Sequence, residues 1–167
     1  MKVNTIFAFV NVNGRTFFAP EKHLSQKQQM ILSLLLSLIF FILGGIHFNW
    51  VFGGKFGFAE ALPTKENGER ILNPKKIDSA LVGIGLGAFS FYYLYGSGIV
   101  DFNLPEWLLK SVGWIIPSIF ILRAIGDFKY VGFFKRIRTT AFGKRDTRLF
   151  SPLCLIIAIL AIIIQLN

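Results

Sequence analysis

Six side chains in this sequence have types and spacings that suit chemistry at one membrane face: His47, Trp50, Arg123, Asp127, Asp146 and Arg148. Arg123 and Asp127 stand four apart in "RAIGDFKYVGFFKR", the spacing of an ion pair along a helix. Asp146 and Arg148 precede "SPLC", where a carboxylate would meet the positive end of a helix dipole. His47 carries an imidazole able to exchange protons, and Trp50 follows it by three residues. If these groups converge, Arg123 or Arg148 would hold an anionic headgroup while His47 exchanges a proton. The same residues have a structural reading: Arg123–Asp127 as a helical pair, Asp146 as a helix cap, and His47 with Trp50 as interfacial anchors. No catalytic residue is assigned.

The elements that would carry these residues follow from charge segregation. The chain has 167 residues, 53% hydrophobic and 16% charged, with a mean hydropathy of +0.57. Between Lys27 and Lys55 lie 27 residues without formal charge, and between Asp78 and Asp101 lie 22. A helix needs roughly 20 apolar residues to cross a ~30 Å hydrocarbon core. A third run, "NLPEWLLKSVGWIIPSIFILRA", has Glu106 and Arg123 near its ends, is interrupted by Lys110 one turn from Glu106, and opens with Asn103 as a cap and Pro105 in the first turn. A fourth starts at Ser151 as cap with Pro152 at the first helical position. The expected fold is all-α, a polytopic membrane protein. Four transmembrane helices at about 30–50, 79–99, 104–125 and 151–166 form a bundle, with a basic cytoplasmic loop between the third and fourth.

Loop charges set the expected orientation. The first loop (51–78) carries five Lys/Arg and the third (124–149) seven, with Arg123 at its edge, whereas "GSGIVDFN" and "QLN" carry none. Basic loops stay in the cytoplasm, so both termini are expected outside. The tail 1–29 opposes this with Lys2, Arg15, Lys22 and Lys27. It reads either as a hairpin around Asn13–Gly14 or as sequence upstream of a translation start at Met30. A single domain, 30–167, remains.

Small residues mark where the helices would meet, because association inside lipid depends on close backbone approach. Ser33, Ser37, Gly44 and His47 fall within an arc of about 80° on the first span. Gly83 and Gly87 stand four apart on the second; "GIGLG" is no phosphate loop, since no strand precedes it. Gly113 and Pro117 share a face with Glu106 and Lys110 on the third, where Pro117 should loosen the helix.

Three blocks, "GGIHFNWVFGGKFGFAEALPTKENGERILNP", "GIGLGA" and "RAIGDFKYVGFFKRIRTTAFGKRDTRLFSPLC", resemble a bacterial family of small membrane proteins catalogued as domain of unknown function 3995. The resemblance spans about residues 35–165. It implies a four-helix protein of the bacterial cytoplasmic membrane and supplies no catalytic residues.

Several function classes drop out. One cysteine, Cys154, forbids an internal disulfide, and two histidines make no metal or haem ligand set, so no metal or cofactor is expected. The basic and aromatic third loop reads as an interfacial segment on anionic lipid rather than a nucleic-acid surface. The expected partners are the bilayer and anionic headgroups, with self-association into a homo-oligomer left open. Two classes stand: a non-enzymatic binding, transport or accessory component, or a small intramembrane enzyme acting on a headgroup at the cytoplasmic leaflet through His47, Arg123 and Asp127.

Overall fold

The computed structural model describes residues 7–12, 15–20, 24–101 and 103–167. Two strands, β1 (Phe7–Val12) and β2 (Arg15–Pro20), pair antiparallel with Phe7 opposite Pro20 and Val12 opposite Arg15. The Asn13–Gly14 turn expected between them lies outside the described residues. Helices follow: α1 (Gln26–Val51), the short α2 (Phe58–Ala61), α3 (Lys76–Gly96), α4 (Glu106–Ile125), the short α5 (Ala141–Arg145) and α6 (Ser151–Gln165).

Helix α1 starts ahead of the expected residue 30 because Ser25 and Gln28 form a reciprocal cap. The Gln28 N–H donates to Ser25 Oγ at 3.3 Å, and the Ser25 N–H donates to Gln28 Oε1 at 2.9 Å. The first turn thus uses residues upstream of Met30. Helix α3 also starts early, where the Lys75 N–H donates to Asp78 Oδ2 at 2.8 Å. On α4 the cap position belongs to Pro105 rather than Asn103, and no ion pair joins Lys110 to Glu106 among the described residues.

The start of the last helix departs most from expectation. Ser151 is not its cap. Thr140 caps α5, its Oγ1 accepting from the Gly143 N–H at 3.0 Å, and the helix runs on through a π turn at Asp146–Phe150 into α6. Pro152 supplies the reason: it lacks an N–H and its ring crowds the carbonyl four residues back. A turn widened by one residue, with the Ser151 N–H donating to the Asp146 carbonyl, lets the helix continue past it.

Among the described residues, four helical stretches are long and apolar enough to cross a membrane: Gln26–Val51, Lys76–Gly96, Glu106–Ile125 and the continuous Ala141–Gln165, with mean hydropathies of 2.4, 1.4, 1.7 and 2.4 over their 18-residue apolar windows. Large apolar side chains ring the outside, Phe41 at 70% and Leu122 at 68% exposure among them. Such a surface suits lipid and not water.

Helix α1 packs on α3, and α4 on α6, each pair antiparallel: Ser37 meets Ser90 and Gly44 meets Gly83, while Gly113 meets Gln165 and Arg123 meets Asp146. At the centre, the buried Phe40 ring lies 5.7 Å from Phe89, 5.8 Å from Tyr93 and 5.3 Å from Phe120, so α1, α3 and α4 share one core. Ser37 Oγ donates to the Ser90 carbonyl at 2.8 Å and Ser90 Oγ donates to the Ser37 carbonyl at 2.9 Å. Polar cross-helix bonds of this kind hold helices where hydrophobic drive is absent.

The glycines divide by environment. A Cβ on Gly44 would sit 3.3 Å from the Gly83 carbonyl oxygen, and one on Gly83 would sit 3.2 Å from the Phe48 ring. Gly87 contributes its backbone nitrogen, 3.6 Å from that same Gly44 position, yet a Cβ of its own would meet nothing within 4 Å. The close approach therefore belongs to Gly44 and Gly83. Gly113 packs under Gln165 of α6 and the Tyr92 hydroxyl of α3, and Pro117 is fully buried in α4.

Candidate functional site

Both long loops gather at one end of the bundle, where Arg145 of α5 reaches Glu60 of α2 at 3.5 Å. Beneath the third loop lies a buried carboxylate. Asp146 is fully buried in the π turn, and both of its oxygens are occupied. Oδ1 accepts from Arg123 Nη2 at 2.9 Å. Oδ2 accepts from Lys135 Nζ at 2.9 Å, from the Gly132 N–H at 2.8 Å and from Ser151 Oγ at 3.1 Å. Lys135 Nζ also donates to the Gly132 carbonyl at 2.8 Å, and its side chain is as inaccessible as that of Asp146. An ion that deep persists only when paired and hydrogen-bonded, and this one has four donors.

The loop is shaped to deliver Lys135. Helix α4 stops at Gly126, with φ +87°, and the chain returns to place Gly132, with φ +88°, against it. The Phe133 N–H donates to the Ala124 carbonyl at 2.8 Å, and the Asp127 N–H donates to the Val131 carbonyl at 3.2 Å. A Cβ on Gly126 would strike the Val131 carbonyl oxygen, and one on Gly132 the Ile125 carbonyl oxygen. Only glycine fits both positions.

Asp127 does not pair with Arg123, which corrects the expected helical pair. The helix has ended before it, so the four-residue spacing no longer places the two side chains on one face. Instead Asp127 Oδ1 accepts from the N–H groups of Lys129, Tyr130 and Val131 at 2.9, 2.6 and 2.8 Å. Burial alone would raise this carboxyl, but the Val131, Tyr130 and Lys129 N–H groups outweigh it and hold it below its ordinary value. The turn so closed puts Phe128 in the left-handed region at φ +61°, rare for a bulky residue, with its ring exposed beside that of Phe134 at 6.3 Å.

The remaining predicted residues lie elsewhere on this face. His47 Nδ1 is 2.9 Å from the Leu43 carbonyl, its own preceding turn, and its ring centroid is 4.6 Å from that of Trp50. Trp50 Nε1 donates to the Phe56 carbonyl at 2.7 Å, and its ring meets Phe58 edge-on at 5.5 Å, tying α1 to the first loop. Arg148 is exposed, and no hydrogen bond or ion pair engages it among the described residues. Arg123 and Asp146 are thus in direct contact and His47 lies against Trp50, while Asp127 and Arg148 each have separate surroundings.

Lys135 and Gly132 complete the carboxylate knot without having been singled out in the sequence, and Ser151, expected as a helix cap, joins it through its hydroxyl. One signal bears on Lys135: Asp146 is the sole acidic residue after Asp127, amid seven cations. An acid so outnumbered just ahead of an apolar span has to be neutralised by one of them. Among the described residues, no group of three His, Cys, Asp or Glu side chains has a metal-binding arrangement.

Facing outward from the knot is a cavity of about 440 Å³ lined by Asp127, Phe128, Lys129, Arg136 and Ile137. Its two cations flank a carboxylate whose oxygen is already held by backbone N–H groups. A family model described as "Protein of unknown function (DUF3995)" matches residues 40–161. The chain belongs to that family. No curated protein and no solved structure matches the chain. The DUF3995 match takes in the whole knot, from Arg123 to Ser151, together with His47 and Trp50.

Proposed function

We propose that this DUF3995 protein is a non-enzymatic component of the bacterial cytoplasmic membrane that binds anionic lipid headgroups with its third loop at the inner leaflet. The observation that carries this reading is the cavity between Lys129 and Arg136, presented by a loop that Asp146 anchors from below. Exposed Phe128 and Phe134 beside it suit the acyl boundary, and their cationic neighbours suit the headgroup layer. The commitments of His47, Arg123 and Asp127 to three different partners favour binding over catalysis, since no two of them share a reacting centre.

The test is protein stability in nanodiscs of phosphatidylglycerol against phosphatidylcholine. The wild type is expected to be more stable in the anionic lipid by about 2 kcal/mol, at roughly 1 kcal/mol per basic group. The Lys129→Gln/Arg136→Gln double variant is expected to lose most of that difference while matching wild type in phosphatidylcholine. Equal stability of the wild type in both lipids would end the proposal.

The orientation belongs to the same reading, because the cavity must face the anionic leaflet. Cysteines introduced at Lys65 and Lys144 are expected to resist a membrane-impermeant thiol reagent in whole cells and to react once the membrane is opened. Labelling of both from outside reverses the topology.

A further inference from the structure

At the end of the bundle opposite Asp146, all four long helices surround a second cavity of about 290 Å³. Its polar lining includes Gln29 and Ser33 of α1, Tyr92 and Tyr93 of α3, and Gln165 of α6. Among the described residues, no lining side chain is charged. Two hydroxyls there are buried without a partner among the described residues: Ser33 Oγ, on a residue of 0% exposure, and Tyr93 Oη, on a residue of 2% exposure.

Those two orphans need a reason. A buried hydroxyl with no partner costs about 1–3 kcal/mol, and neither position forces the cost. A serine inside a helix can usually turn its hydroxyl to the carbonyl four residues back, yet Ser33 does not bond there. The Tyr93 ring is fixed by stacking on Phe40 at 5.8 Å and by the Tyr92 ring, edge-on at 5.1 Å, so its hydroxyl is not free to swing away. The adjacent Tyr92 hydroxyl, by contrast, is satisfied, donating to the Leu109 carbonyl at 3.0 Å.

We infer that this cavity is a binding site for an uncharged, hydroxyl-rich group the size of one sugar ring, either free or carried on a lipid. The lining chemistry selects it. Hydroxyls and carboxamides can each donate or accept, which matches a ring of hydroxyls, and tyrosine faces suit the apolar C–H surface of such a ring. Among the described residues an ion would meet no opposing side-chain charge, at a large desolvation cost. The volume lies at the small end of ligand pockets, enough for one ring and too small for a chain of them. The site is separate from the headgroup cavity of the third loop and does not depend on that reading.

The experiment uses the full chain in phosphatidylcholine nanodiscs, with D-glucose as the free probe and monoglucosyldiacylglycerol as the lipid-borne one. Saturable binding is followed by saturation-transfer NMR for the sugar and by native mass spectrometry for the lipid. Ser33→Ala and Tyr93→Phe are each expected to weaken binding about tenfold. Both should leave the Tm without ligand unchanged or higher, because each removes a hydroxyl that has no protein partner. Gly96→Leu, whose Cβ would lie 3.9 Å from Ser33 Oγ, is expected to fill the cavity and abolish binding. Binding of glucose alone assigns a free ligand, and binding of the glycolipid alone assigns a headgroup. The inference is overturned if neither probe saturates, or if the Ser33→Ala/Tyr93→Phe variant binds like wild type. It is equally overturned if the single variants lose stability without ligand, since the hydroxyls would then be held by structural water.

Discussion

Asp146→Asn is expected to destabilise the protein by about 3–5 kcal/mol, the usual cost of leaving a buried charge without its partner. The wild-type knot holds two cations on one carboxylate, and the substitution leaves both with none. Arg123 retains one-third exposure and can turn to water, but Lys135 has no such route, its side chain being wholly inaccessible. Asparagine preserves the shape and one acceptor, so the loss reports charge rather than volume. Lys135→Met placed in the Asp146→Asn background is expected to recover more than half of the loss, because the stranded ammonium is gone. Denaturant or thermal titration of the four proteins in mild detergent gives the cycle. A change under about 1 kcal/mol for Asp146→Asn, or no recovery in the double variant, would show that the knot contributes little.

Gly132→Ala should be nearly as damaging, for a backbone reason. The residue sits at φ +88°, where a side chain costs on the order of 1–3 kcal/mol, and its Cβ would collide with the Ile125 carbonyl. Overpacking adds about 1–3 kcal/mol more. The substitution would also displace the N–H that Gly132 gives to Asp146, so loop and knot fail together. Gly45→Ala makes the matched control, since a Cβ on that exposed α1 glycine meets nothing within 4 Å. It is expected to be neutral or to stabilise by up to about 1 kcal/mol through helix propensity. Equal melting temperatures for the two variants would mean that the loop tolerates rearrangement at Gly132.

The number and placement of the long helices were legible in the residues because the requirement is local. A stretch of about 20 apolar residues either exists or does not, and charge at Lys27, Lys55, Asp78 and Asp101 brackets the first two. Periodicity likewise put Ser33, Ser37 and Gly44 on the buried side of α1, where the structure has them. Pro152 read as the first position of the last helix, and what precedes it overturned that reading. With Thr140 capping α5 upstream, the helix could run through the proline on a π turn instead of starting there.

The partners of Asp146 were decided only by tertiary structure. In the sequence Lys135 is one of seven cations in the segment between Asp127 and Ser151, equal in charge to Arg136 beside it. What separates them is the path of the chain, reversed by Gly126 and Gly132 so that one points inward and the other lines the open cavity. The four-residue spacing of Arg123 and Asp127 makes a pair only while the helix continues through both. Helix α4 ends at Ile125, between them, which hands Arg123 to Asp146 and leaves Asp127 to close its own turn.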